Sequence, residues 1–102
     1  MIQPRTFLPT PTWDGCLFDG QWRKGENTIA VIEPATGKQL GQVALAGREM
    51  VAKQAAAAAH AQQAWAALPY EERAQVLRKA ARLAEEHGAE IVEWLARDSG
   101  SI

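Results

Sequence analysis

Residues 31–47, VIEPATGKQLGQVALAG, read as a strand, a tight turn, a second strand and the start of a helix. Pro34 presets the backbone at the first central position of a turn, and Gly37 can take the left-handed conformation that closes the loop. The β-branched stretch 28–33 precedes the turn, and a return strand at 38–46 follows it. The sequence therefore predicts a β-hairpin in which Gly41 marks a bulge or a close approach of another part of the chain.

A second hairpin is predicted just upstream. Short apolar runs flank Asp19 and Gly20, a dipeptide typical of a two-residue hairpin turn. Trp22 is expected on the inner face of this hairpin. Residues 1–16 carry prolines at positions 4, 9 and 11, and we interpret them as an extended N-terminal arm.

Three helices are predicted after the hairpins, at 48–68, 69–87 and 89–99. Pro69 suits the start of the second helix, Gly88 is expected to end it, and Gly100 can cap the third. The inward faces are expected to be Val51, Ala55, Ala58 and Trp65 on the first helix and Ile91, Trp94 and Leu95 on the third. The predicted fold class is α+β, with two hairpins over 17–46 followed by three helices.

Composition limits the function classes. The chain has 102 residues, of which 47% are hydrophobic, enough for one small domain with a thin, alanine-rich core. Eleven basic and twelve acidic residues give a net charge of −1 without a basic block, which argues against a nucleic-acid partner. Neither a secretory signal nor a membrane-spanning segment is evident, so we expect a cytoplasmic protein with no membrane partner.

No residue stands out as a catalytic, cofactor-binding or metal-binding group. Cys16 is the one cysteine; it has no neighbouring base and is expected to be a small buried or half-buried apolar residue. His60 and His87 fall on different predicted helices, which argues against a metal site. Glu71 and Glu72 are neighbours in a helix, where side chains point about 100° apart, so we interpret them as solvated charges. The site prediction from the residues alone is none.

The order of the motifs nevertheless resembles the N-terminal segment of the aldehyde dehydrogenase superfamily. The matching pieces, in order and at the family's spacing, are LFDGQW (17–22), EPATGK (33–38), MVAKQAAAAAHAQQAW (50–65), ERAQVLRKAARLAEE (72–86) and LARDSGSI (95–102). The ending, together with PYEERA (69–74), is most similar to aromatic-aldehyde members such as benzaldehyde dehydrogenases. Three positions depart from the family pattern: Glu33 stands where asparagine is usual, and Ser101–Ile102 stands where Lys-Pro is usual.

The resemblance implies that residues 17–102 form the N-terminal part of the coenzyme-binding domain of an NAD(P)-dependent aldehyde dehydrogenase. In that family a cysteine thiolate attacks the aldehyde, hydride passes to NAD or NADP, and a glutamate-activated water releases the acid. Nothing in this sequence matches those motifs, so this segment alone is expected to be inactive and to bind no coenzyme. The expected partners are the remainder of the enzyme chain and further copies in a homo-oligomer.

The resemblance also implies that backbone carbonyls near Val31–Ile32, with Asp98, can help to bind a structural monovalent cation. Two other interpretations stay open. The chain could be a truncated, inactive fragment or a small structural or interaction module. It could also be an unrelated helical module that docks a partner through the predicted face of its first helix.

Overall fold

The computed structural model describes residues 6–100, so the first five residues of the predicted arm and Ser101–Ile102 lie outside the described part. The chain divides into two compact units. The first, here called the sheet unit, contains residues 6–46 and 89–100 of the described part. The second, the helix unit, is Gly47–Gly88. Strands and helices together give the predicted α+β class.

The sheet unit contains a small mixed sheet of four strands with the order β2-β1-β4-β3. Its strands are β1 (Cys16–Phe18), β2 (Trp22–Lys24), β3 (Thr28–Ile32) and β4 (Gln39–Ala44). The two hairpins, β1–β2 and β3–β4, are antiparallel, and β1 and β4 run parallel to each other. The predicted hairpins are therefore confirmed, and the parallel pairing joins them into one sheet.

The turn between β3 and β4 has the predicted chemistry. Gly37 has a φ of 73°, and its N–H donates to the carbonyl of Glu33 at 2.8 Å. The strand register shifts between Val31 and Ile32, and Val31 pairs with Gly41. The irregularity that Gly41 predicted is thus present at this point of the hairpin.

The turn between β1 and β2 is longer than predicted. Asp19, Gly20 and Gln21 lie between the strands, instead of a two-residue Asp19-Gly20 turn. The Asp19 carboxylate explains the difference because it accepts a hydrogen bond from the backbone N–H of Gln21 at 3.1 Å. It also pairs with Arg23 at 2.5 Å. These local bonds stabilise the wider loop.

The described part of the arm is not fully extended, which corrects the prediction for this part of residues 1–16. Thr10–Trp13 form a single helical turn, α1, closed by a bond from the Asp14 N–H to the Thr10 carbonyl at 2.9 Å. Proline is compatible with the first turn of a helix, where an N–H has no intrahelical acceptor. The turn also places Trp13 in the core, with 8% of its surface exposed.

The three long helices are α2 (Arg48–Ala67), α3 (Tyr70–Glu86) and α4 (Gly88–Ser99), close to their predicted bounds. Gly88 begins α4 and does not end α3, because the break falls at His87, whose φ and ψ are −104° and 19°. Gly100 ends α4 as predicted, with a φ of 74°. None of the helices within residues 6–100 is long and apolar enough to cross a membrane.

The core is as thin as the composition predicted. Among the described residues, the buried hydrophobic side chains are Trp13 and Cys16. No residue of α2, α3 or α4 is buried. On the first helix, Val51 and Trp65 of the expected inward face are exposed, and so is the large apolar residue Leu77 of α3.

Candidate functional site

The sheet unit contains an apolar groove with a volume of about 390 Å³. We call it the tryptophan groove. Its lining residues are Phe7, Leu8, Trp13, Cys16, Trp22, Val31, Leu40, Val43, Ile91, Trp94, Leu95 and Asp98. Asp98 is the one charged residue in this set, so the walls offer mainly apolar contact.

The strand register explains why the sheet contributes one face to the groove. Cys16 of β1 pairs with Val43 of β4, and Phe18 pairs with Trp22 of β2. Because paired residues share a face and alternate residues along a strand do too, Cys16, Trp22 and Val43 point to the same side. The Trp22 ring also lies 4.9 Å from the Phe18 ring, centroid to centroid. Trp22 thus lines the groove but, at 43% exposed, is not packed away from solvent as an inner-face residue was expected to be.

Helix α4 supplies the opposite wall. Ile91, Trp94 and Leu95, the face predicted for this helix, follow the i, i+3, i+4 spacing of a single helical face, and all three line the groove. The Trp94 ring meets Trp13 edge to face, with centroids 5.7 Å apart and an interplanar angle of 88°. This geometry is favourable for aromatic pairs and ties α4 to α1.

Trp13 is seated where β4 lacks a side chain. A Cβ built on Gly41 would lie 2.5 Å from the Trp13 ring and 3.0 Å from the Asp14 carboxylate. Glycine is therefore required by close approach, the second of the two roles predicted for it. The Asp14 carboxylate accepts the N–H of Gln42 at 2.8 Å, which holds α1 against this strand.

The described start of the arm is held against α4 by Glu90. One carboxylate oxygen accepts the N–H of Phe7 at 3.0 Å, and the other accepts the N–H of Leu8 at 3.3 Å. Charge-assisted bonds of this kind are stronger than neutral ones. Sequence reasoning missed Glu90, since no local pattern signals a contact between groups 82 or 83 residues apart.

A second contact joins the β3–β4 turn to α4. Glu33 pairs with the Arg97 guanidinium at 3.0 Å, and that guanidinium lies 5.3 Å from the centre of the Trp94 ring. The Thr36 hydroxyl donates to the Glu33 carboxylate at 2.7 Å. This hydrogen bond, followed by the one from Arg97, lowers the pKa of Glu33 below its usual value. Glu33, which stands where the family usually has asparagine, is therefore bonded to both Arg97 and Thr36.

Residues weighed for chemistry from the sequence are not brought together. Cys16 is 6% exposed, and its Sγ donates to the Asp14 carbonyl at 3.5 Å, consistent with the small buried residue that was predicted. His60 is exposed on α2, whereas His87 follows α3. Across residues 6–100 no three His, Cys, Asp or Glu side chains form a group that could hold a metal ion.

Two of the three positions implied in cation binding lie at the groove, and Ile32 is not among its lining residues. Val31 and Asp98 both line it, but Asp98 is the one carboxylate that it offers. Hard cations take several oxygen ligands, so the lining residues do not by themselves fit such an ion. The groove lacks an arrangement for proton transfer or nucleophilic attack among its described residues; its chemistry is that of apolar packing.

Comparisons with known proteins agree with the motif order. A sequence profile of the aldehyde dehydrogenase family matches residues 22–102. The chain is 50% identical over 98 residues to a vanillin dehydrogenase of Amycolatopsis sp., a match covering 95% of this chain and 20% of that protein. It is 38% identical over 93 residues to a benzaldehyde dehydrogenase [NAD(+)] of Pseudomonas putida, covering 90% and 19%.

A more distant relative is an NADP-dependent glyceraldehyde-3-phosphate dehydrogenase of Pisum sativum, 38% identical over 82 residues, or 78% of this chain and 16% of that protein. No solved structure gives a significant match. The chain thus spans about a fifth of the length of the first two curated relatives, 20% and 19%. Since the family profile covers most of the sequence, the chain belongs to the aldehyde dehydrogenase family.

Proposed function

We propose that this chain is the N-terminal scaffold of an NAD(P)-dependent aldehyde dehydrogenase that oxidises an aromatic aldehyde to its carboxylic acid. The observation that carries the proposal is the 50% identity to a vanillin dehydrogenase across 95% of the chain. The benzaldehyde dehydrogenase relative supports the same substrate class. Vanillin and benzaldehyde both carry the aldehyde on an aromatic ring.

In this proposal the described residues position other parts of the enzyme and do not react. The buried Cys16, bonded to a backbone carbonyl, lacks the base and exposure that a nucleophilic thiolate needs. The coenzyme supplies the hydride acceptor, and the groups that bind it belong to the remaining polypeptide. The contribution of this chain is a preorganised sheet unit, held by Glu90 and by the Glu33–Arg97 pair.

The proposal includes the setting of the enzyme. The segment contacts the remainder of its own polypeptide, the complete enzyme is a cytoplasmic homo-oligomer, and neither membrane nor nucleic acid is a partner. The net charge of −1 with interspersed signs supports the last point.

The scaffold role is tested with a chimera in which this chain replaces the matching fifth of the Amycolatopsis vanillin dehydrogenase. We expect the chimera to oxidise vanillin with a kcat/KM within about tenfold of its parent, a barrier difference of about 1.4 kcal/mol. The control is the parent lacking that fifth, which should be inactive, as should the 102-residue chain alone. A folded but inactive chimera would refute the scaffold role and favour the inactive-fragment or interaction-module alternative.

The substrate class needs a separate experiment, because the chimera takes its aldehyde site from the parent. The coding DNA beyond Ile102 is read, and an open frame is expressed as one polypeptide. Its kcat/KM is then compared for vanillin, benzaldehyde and glyceraldehyde 3-phosphate with NAD and with NADP. Preference for the two aromatic aldehydes is expected; preference for the phosphorylated aldehyde would contradict the proposed substrate class.

A further inference from the structure

We propose that the tryptophan groove is a docking seat for an apolar segment of the downstream aldehyde dehydrogenase polypeptide. The inference rests on the proposed function and names the surface through which the segment joins the rest of the enzyme. In the complete protein, Leu95 and Trp22 are covered by that segment, whereas Val92, which does not line the groove, is not part of the seat.

The groove is large and apolar but unfilled by the residues that surround it. An aliphatic cavity of about 150 Å³ accepts a benzene ring, so a groove of about 390 Å³ has room for more than one large side chain. Leu95 and Trp22 line it while remaining 58% and 43% exposed. Covering them removes apolar surface from water, at about 25 cal/mol per Å².

The walls select for an apolar occupant. Asp98 is the one ionised side chain among the lining residues. Arg97, the nearest basic residue along α4, is engaged by Glu33 and by the Trp94 ring. Apart from Asp98 and the indole N–H of Trp13, which is buried without a partner, the lining is mainly hydrocarbon, so it would replace the lost hydration of a polar occupant only in part. Apolar side chains lose nothing of this kind and gain contact with three indole rings.

The downstream polypeptide is the occupant that the comparisons favour. The vanillin and benzaldehyde dehydrogenases have about four-fifths of their length outside the matched part, since the chain covers 20% and 19% of them. A segment of the same polypeptide is present at high effective concentration, so it competes well against a separate partner. The buried hydrophobic side chains among the described residues are Trp13 and Cys16. Because this core is thin, burial of the groove by a further segment would stabilise the sheet unit.

The test measures how fast a thiol reagent modifies a cysteine introduced into the groove. The rate is compared between two proteins, the vanillin dehydrogenase chimera and the 102-residue chain. The variants are Leu95→Cys, inside the seat, and the matched control Val92→Cys, which is 65% exposed on the same helix and does not line the groove. Both positions fall on the tryptic peptide 83–97, between Arg82 and Arg97. Mass spectrometry therefore reads the two variants from the same peptide.

We expect the thiol of Leu95→Cys to react at least about ten times more slowly in the chimera than in the 102-residue chain, because a covered thiol reacts only during local opening. Val92→Cys should react at similar rates in both contexts. Leu40→Cys repeats the measurement from the sheet side of the groove, so the test survives if one variant fails to fold. Rates at both groove positions that match those in the 102-residue chain would overturn the proposal.

Other occupants give different results. Protection of Leu95→Cys in the 102-residue chain that grows with protein concentration would identify a second copy as the occupant and overturn the proposal. Equal protection of Leu95→Cys and Val92→Cys in the chimera would also overturn it, since the cover would not be specific to the groove. Slow labelling at the groove in a chimera that oxidises no vanillin would support the docking seat while refuting the proposed function, so the two failures are distinguishable.

Discussion

At the residue scale, Gly41 is the position where sequence and packing depend most directly on each other. The Trp13 ring occupies the space that a side chain at position 41 would need, since a Cβ there would lie 2.5 Å from the ring. Gly41→Ala should therefore destabilise the sheet unit by about 1–3 kcal/mol, the usual cost of overpacking. The measurement is the thermal midpoint of the vanillin dehydrogenase chimera with and without the substitution.

The control for this substitution is Gly88→Ala. A Cβ at Gly88 meets nothing within 4 Å, and Gly88 is in the first turn of α4, where alanine is the better helix former. The midpoint should stay the same or rise. An equal fall of the thermal midpoint in the Gly41→Ala and Gly88→Ala variants would show that the packing of Trp13 does not require a glycine at position 41.

The close approach at Gly41 could be predicted from the sequence, because an isolated glycine in a strand has few explanations. The identity of the approaching residue could not. Trp13 lies in a segment whose prolines indicated an extended arm. Its burial depends on contact with Gly41, which lies 28 residues further along the chain. Glu90 gives the same lesson, since a helical glutamate carries no local sign that it accepts two distant backbone N–H groups.

At the element scale, the Glu33–Arg97 pair couples the β3–β4 turn to α4, and its strength depends on pH. The hydrogen bond from Thr36, followed by that from Arg97, lowers the pKa of Glu33 from the ordinary 4.5. For a carboxyl group with a lowered folded-state pKa, the stabilisation is present above the ordinary value and is lost as the pH falls through the folded value. Contact between the turn and α4 should weaken below about pH 4.5.

The measurement compares thermal midpoints of the chimera and its Glu33→Gln variant between neutral pH and the acid side of that value. Glutamine keeps the shape but does not titrate, so the difference between the two proteins should shrink on acidification. Glu72→Gln is the control, since Glu72 is an exposed carboxyl on α3. A difference that stays constant across the pH range would mean that the carboxylate at position 33 contributes no pH-dependent stability.

Elements differed in how well the sequence predicted them. The β3–β4 hairpin and α2 to α4 were predicted closely because their signals are local: a proline-glycine turn, alanine-rich stretches and a terminal glycine. The parallel pairing of β1 with β4 rests on the partners Cys16 and Val43, which no local pattern specifies. The apolar face of α4 was predicted because its spacing is a local signal. The groove that α4 forms with the sheet was not predicted, because it depends on contacts between distant parts of the chain.

At the scale of the whole molecule, the 102-residue chain exposes more apolar surface than its own core can cover. Val76, Leu77 and Leu83 on α3 are 54%, 65% and 44% exposed. Val76 and Leu83 share one helical face by their i, i+7 spacing, and large exposed apolar side chains grouped on a helix favour association. We therefore expect the isolated chain to be marginally stable or to self-associate, with sedimentation showing species whose size grows with concentration.

Leu77→Glu tests whether α3 is the associating surface. Replacing the exposed leucine by a charge should shift the sedimenting population toward monomer, because two apposed carboxylates would have to be desolvated in any contact between copies. Gln75→Glu adds the same charge to the same helix at an exposed polar position and should leave the distribution nearly unchanged. If both variants dissociate equally, net charge rather than the apolar face controls association. A monodisperse wild-type monomer with a cooperative melt above about 65 °C, the upper end for mesophile domains, would contradict the expectation altogether, because the described core would then suffice without a cover.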